Sequence, residues 1–356
     1  MAHLTANSKE TTSVSTKKYI LFPMAFLLVA VVGLFIIKWN PYYDRAFVAA
    51  ATHSIGSSII TGKSAAAPIP SWAAALGYAT DYFKAVWKAV ILGLLLGSLV
   101  QVLIPRNWVM RVFGGKNFSS TAAASAASLP GMMCSCCAAP VTAGLRTCAA
   151  SVGSALAFFL GNPVLNPATI IFMGFVLSWK FAMFRIIAGL ILVFGISLLA
   201  NRIANEETVP SSLLANNYDE ENASLFGRWL KALWRLILDT IPAYLIVVFA
   251  LGAARAWLFP AVGPDWGNSI LAVIGLAIAG TLFVIPTAAE IPVVQTLMSF
   301  GLGVGPSAAL LITLPAVSLP SILILKNAFP AKILLFVLAA VAVAGIISGL
   351  IAPLVL

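Results

Sequence analysis

Two apolar stretches of this chain, each long enough to cross a bilayer, are interrupted near their middles by a pair of prolines. The first break reads Gly161-Asn162-Pro163-Val164-Leu165-Asn166-Pro167, the second Thr313-Leu314-Pro315-Ala316-Val317-Ser318-Leu319-Pro320. A proline inside a helix removes one backbone hydrogen bond and blocks the carbonyl four residues back. Hydrocarbon offers no water to the freed groups, so a broken helix persists in a membrane only where protein or a wet cavity covers it. Two breaks at matched positions point to a central site of the kind transporters build between their halves.

Hydrophobic residues make up 61% of the 356-residue chain and charged residues only 9%. A soluble domain carries about 25% charged residues, so a soluble globule is excluded. The fold expected is an all-α polytopic membrane protein of about 8–10 membrane segments, with the lipid bilayer as its first partner. The apolar run Tyr19–Ile37 follows a polar N-terminus without a small-residue cleavage site, and reads as a retained helix rather than a signal peptide. The net charge of +10 is scattered over apparent helix ends (Lys17, Lys18, Lys38, Arg106, Arg111, Lys116, Lys180, Arg185), with no basic stripe. Membrane topology accounts for that pattern, and nucleic acid is excluded as a partner.

The chain also resembles itself. Displaced by 155 residues, Leu96, Gly97, Leu103 and Pro105 fall on Leu251, Gly252, Leu258 and Pro260. Displaced by 152, Pro140, Gly153, Pro163, Lys180 and Phe184 fall on Pro292, Gly305, Pro315, Lys332 and Phe336. Prolines and glycines weigh most here, because each imposes a backbone constraint. The organisation expected is a polar N-terminus (1–18), an extra helix and connection (19–78), repeat 1 (79–200), an acidic linker (201–228) and repeat 2 (229–356). The charges flanking the linker, like Lys17 and Lys18, lean toward the cytoplasm. Each repeat runs from a plain spanning helix, through a proline-broken region (118–149 and 269–301), to the interrupted span and a closing helix. If the broken region enters and leaves on one side, each repeat crosses three times and the second copy is inverted. The low hydrophobic density of Phe118–Ala149 favours that arrangement over a full crossing with parallel repeats.

Three of the four cysteines stand together in Cys134-Ser135-Cys136-Cys137, between Pro130 and Pro140, with Cys148 eleven residues further on. Thiolates are soft ligands suited to trivalent arsenic, monovalent copper or mercury. Cys134, Cys136 and Cys137 are expected at the substrate site, with Cys134 and Cys136 as the soft-ion ligands, and Cys148 reads as a packing residue. The second half has no cysteine: Cys134, Cys136 and Cys137 fall on Pro286, Ala288 and Ala289. That asymmetry weakens a disulfide relay between repeats. Glu290, in Pro286-Thr287-Ala288-Ala289-Glu290-Ile291-Pro292, lies in a long uncharged run. A carboxylate at membrane depth costs about 2.5–3.5 kcal/mol on insertion scales, so one retained there suits a proton-linked step. Asn162, Asn166, Thr313 and Ser318 either line a solute path or satisfy freed backbone groups. Arg146 either counters an anion or reaches the interface, Asp239 reads as a helix-end residue, and His53 as a satisfied core or interface residue. The helix breaks expected are Pro140, Pro163, Pro167, Pro286, Pro292, Pro315 and Pro320. Zinc spacings, phosphate loops and nucleophile elbows are absent from the sequence, so a transporter without a cofactor is expected rather than an enzyme.

With the Cys-Ser-Cys motif, Pro140 and Phe-Leu-Gly-Asn-Pro-Val-Leu-Asn-Pro in view, the chain resembles the predicted permease family that includes the bacterial organoarsenical efflux permeases. The resemblance spans about 79–352 and is most specific over Pro130–Pro167. It implies a multi-pass protein of the bacterial inner membrane that exports a small soft metal or metalloid solute. It also implies Cys134 and Cys136 as the thiol pair, and Pro163, Asn166 and Pro167 as the broken-helix signature. Cys137 and the N-terminal segment through Lys63 depart from that pattern. The alternative function is a membrane thiol–disulfide protein.

Overall fold

The computed structural model describes residues 21–64, 66–204, 224–260 and 267–356. The polar N-terminus and most of the acidic linker lie outside the described residues. The first half contains α1 (Leu21–Thr52), α2 (Trp72–Leu103), α3 (Arg106–Phe113), α4 (Phe118–Ser128), α5 (Ser135–Thr147), α6 (Val152–Val164), α7 (Pro167–Val176) and α8 (Trp179–Ile203). The second contains α9 (Leu225–Leu258), α10 (Ile270–Leu282), α11 (Glu290–Ser299), α12 (Val304–Ala316), α13 (Leu319–Leu325) and α14 (Ala331–Val355). Among the described residues, seven stretches are long and apolar enough to cross a membrane: α1, α2, the pair α6–α7, α8, α9, the pair α12–α13, and α14. The protein is an all-helical polytopic membrane protein.

The sequence explains the local geometry. Pro163 and Pro315 each stand one residue before the end of their helix, in α6 and α12. Pro167 opens α7 and Pro320 lies in the first turn of α13, where a missing N–H costs nothing. Each pair therefore ends one helix and starts the next. Helices α4, α5, α10 and α11 have 11, 13, 13 and 10 residues. At 1.5 Å per residue they reach about 15–20 Å, short of the roughly 30 Å hydrocarbon core.

Helices α4, α6, α7 and α8 start 152 residues before α10, α12, α13 and α14. Packing follows the same pairing. Helix α2 lies along α9, α8 along α14, and α6 touches α12. Helix α5 packs on α13 of the other half, as α11 packs on α7. The broken pairs form the most deeply buried layer of the bundle.

Three expectations change. Pro140 does not break a helix: α5 starts at Ser135 and runs through it. The break is made upstream, by a 3-10 turn at Leu129–Gly131 and by Met132 in the left-handed region (φ 46°). Lys38 does not end the first helix, because a π turn at Phe35–Trp39 carries α1 on to Thr52 with Lys38 inside. Asp239 is no helix-end residue either, since it is half-buried near the middle of α9.

Candidate substrate site

Helix α5 holds the cysteines close to α2. A Cβ on Gly93 would sit 2.6 Å from the Cys137 carbonyl oxygen, and one on Gly97 2.6 Å from that of Pro140. Only glycine at both positions permits this approach, the small-x-x-x-small device of membrane helices. Cys134 is the N-cap of α5, with extended backbone (φ −73°, ψ 166°). The residue three positions on faces the cap across the first turn, and two positions on does not. Hence Cys134 Sγ lies 3.2 Å from Cys137 Sγ. Cys136 also lies 3.5 Å from Ser318 Oγ and 3.6 Å from Tyr82 Oη. Cys137 thus stands beside the Cys134 and Cys136 pair that the resemblance implied, 3.2 Å from Cys134.

Cys136 belongs to a hydroxyl cluster that ties the halves together. Tyr82 Oη on α2 meets Tyr244 Oη on α9 at 2.7 Å, and Ser135 Oγ meets Ser318 Oγ at 3.2 Å. Ser318 also caps α13 in a reciprocal capping box with Ser321. Cys148 donates to the Val100 carbonyl (3.6 Å) and packs at the far end of α5.

The breaks carry the charges. Arg185, on α8, is 1% exposed and serves three acceptors. Its Nη2 donates to the Pro163 carbonyl (2.8 Å), its Nε to that of Val164 (3.0 Å), and its Nη1 to Glu290 Oε1 (2.8 Å). It therefore satisfies backbone groups left by the first break and anchors the carboxylate of the opposite half. Reading Arg185 as a helix-end topology charge was wrong, because its side chain turns inward to those carbonyls. Glu290 opens α11, where the positive helix end also favours it. Its Oε2 is buried without a partner.

Lys38 is buried too, and donates to Tyr42 Oη and to Thr287 Oγ1, each at 3.1 Å. Asn166 caps α7 through Oδ1 to the Ala168 and Thr169 amides (3.0 and 3.3 Å), leaving Nδ2 free. Asn162 Nδ2 donates back to the Phe158 carbonyl, and its Oδ1 has no partner.

Cys134, Pro163, Thr169, Ile285, Pro286, Thr287, Ala288, Glu290 and Pro315 line one small cavity of about 10 Å3, room for about one water molecule. The structure thus brings Cys134, Glu290 and residues of both breaks to a common wall. It places Cys137 beside Cys134, and Cys136 with Ser318 in the neighbouring cluster. Asn162, Pro140, Pro167, Pro292 and Pro320 do not line the cavity. Arg146 lies away from it, donating to the Ala150 and Ala328 carbonyls and stacking over Phe329 at 5.3 Å. His53 closes the end of α1, with Nδ1 2.7 Å from the Phe175 carbonyl and its own carbonyl accepting from Gln295. The sequence reading missed Lys38, Tyr82, Thr169, Arg185 and Tyr244 as site residues. The available signal was a polar or charged side chain well inside an apolar run.

Seven apolar spanning stretches, two of them broken and packed at the centre around buried charges, define a multi-pass membrane transporter. The chain belongs to the predicted permease family, whose sequence model matches residues 122–354. It is 53% identical to the UPF0718 protein YraQ of Escherichia coli K12 over 327 residues, covering 92% of this chain and 93% of that protein. It is 23% identical to the UPF0718 protein MJ0584 of Methanocaldococcus jannaschii over 335 residues, covering 75% of this chain and 92% of that protein. No solved structure matches.

Proposed function

We propose that the chain is a secondary permease of the bacterial inner membrane that exports a soft, thiophilic solute through the cavity between its halves. The solute class is a trivalent arsenical, a heavy metal or a thiol compound. The observation that carries this reading is the shared wall of Cys134, Glu290 and both proline breaks. Cys134 and Cys137 are the soft contacts, 3.2 Å apart, and Glu290 is the proton-linked group. Its second carboxylate oxygen is buried with no protein partner, on a residue that lines the cavity, and is the atom a proton would bind. The repeats are inverted: short helices α4, α5, α10 and α11 do not cross, so each repeat, α1 left aside, crosses three times. Efflux comes from the family resemblance, and everted vesicles loaded with arsenious acid, mercuric ion or cuprous ion test it. Accumulation that requires both a proton gradient and Cys134 supports the reading. Loss of neither activity nor tolerance in Cys134→Ser cells removes it.

A second reading, thiol–disulfide exchange, is favoured by the same 3.2 Å sulfur contact. Burial weighs against it, since Cys134 and Cys137 are 5% and 1% exposed and a soluble redox partner must reach a sulfur. A mixed disulfide trapped with a thioredoxin-like protein by Cys137→Ser is the result that favours it.

A further inference from the structure

A second cavity, of about 400 Å3, lies at the end of α5 remote from the thiols. Phe22 of α1, Leu103 of α2, Arg106 of α3, Thr147 of α5 and Arg228 of α9 all line it. Helices α2 and α5 end here while α3 and α9 begin, so their peptide dipoles oppose one another. The two guanidiniums therefore set the sign of the site. Among the described residues no carboxylate lines it, and neither arginine joins an ion pair. Arg228 is half-buried, and its Nε is buried without a hydrogen-bond partner. A buried donor on a charged group is costly to leave unsatisfied. An anion in the cavity would supply the acceptor that the fold does not.

The surroundings belong to a membrane surface. Arg228 stands in the first turn of α9, at the end of the acidic linker, where the basic flank leans toward the cytoplasm. Helix α3 buries Val109 and Phe113 while exposing Trp108 and Met110 beside Arg106 and Arg111. That is the make-up of a helix lying in the headgroup layer. Basic pockets between membrane helices on the cytoplasmic side suit phosphate headgroups, and a guanidinium fork matches phosphate oxygens in pairs. The volume is that of a site for an organic molecule rather than for a bare ion. Phe22 and Leu103 give it an apolar wall.

We propose that this cavity binds an anionic organic phosphate, with Arg106 and Arg228 as its counter-charges and the apolar wall against its carbon skeleton. An anionic phospholipid headgroup and a soluble phosphate ester share that chemistry. The inference stands apart from the thiol site and does not depend on which solute moves.

The test uses the full chain in detergent, with dioctanoyl phosphatidylglycerol and glycerol 3-phosphate as probes and zwitterionic dioctanoyl phosphatidylcholine as control. Each is titrated, and binding is read from the rise in unfolding temperature. At least one anionic probe should stabilise the protein saturably, and phosphatidylcholine should not. Arg228→Gln and Arg106→Gln should each raise the apparent Kd by more than about tenfold. Arg111→Gln removes the same charge from α3 outside the cavity, and should change it by less than about twofold. Neither cavity arginine pairs with a carboxylate, so both variants should unfold near the wild-type temperature without probe, and a lost response then reports the site rather than the fold. A response to phosphatidylglycerol alone assigns the site to lipid, and one to glycerol 3-phosphate assigns it to a soluble ester. No saturable response to either anionic probe overturns the proposal. Equal stabilisation by phosphatidylcholine, or an equal loss in Arg111→Gln, overturns it as well.

Discussion

Arg185 carries more of this site than any other side chain, because one planar fork serves a carboxylate and two backbone carbonyls at once. A lysine has the charge but not the geometry. Arg185→Lys should therefore destabilise the protein by about 1–3 kcal/mol, the range for leaving buried acceptors unpaired. Thermal unfolding in detergent reads that loss. Glu290→Gln should be worse, about 3–5 kcal/mol, since it leaves a fully buried guanidinium without its counter-charge. A Glu290→Gln variant as stable as wild type would mean the pair is not buried as described. At the thiols, Cys137→Ser should reduce transport more than Cys148→Ser, whose sulfur packs against Val100 and is remote from the cavity. Glu290 was legible in the sequence because a lone carboxylate in an apolar run has no cheap explanation. Arg185 was not, because an arginine six residues into a spanning helix reads as a topology charge until its carbonyl partners are known.

At the level of elements, the site depends on how closely α5 approaches α2. Gly97→Ala places a Cβ 2.6 Å from the Pro140 backbone oxygen, which has no rotamer to move away. The expected cost is about 1–3 kcal/mol of overpacking, with displacement of Cys134 from the cavity. Gly77, with open space around its Cβ position, is the matched control on the same helix and should tolerate alanine. Retained transport in Gly97→Ala would contradict the tight α2–α5 contact. The interrupted spans were readable from Pro163, Pro167, Pro315 and Pro320, because proline acts on the backbone whatever the tertiary context. Pro140 misled for the complementary reason. The left-handed Met132, which no sequence rule assigns, makes the break and lets the helix pass through the proline. The direction of Cys136 likewise required knowing where α5 begins.

For the whole molecule, three crossings separate Ser224 from Leu356 if the short helices do not span. Reporter fusions at these two positions should then report opposite sides of the membrane. The same side at both would require a fourth crossing and parallel repeats. The junction after α8 lies four crossings from the start of α1, so it should share a side with the residues preceding α1, in line with their basic flanks. The central claim is that a soft solute passes the wall shared by Cys134, Glu290 and the two breaks. Its most direct test is proton-gradient-driven solute accumulation in everted vesicles carrying wild-type, Cys134→Ser or Cys148→Ser protein, over a panel of thiophilic solutes. The account predicts accumulation of at least one solute that is abolished by Cys134→Ser and kept in Cys148→Ser. Equal accumulation in all three would contradict it.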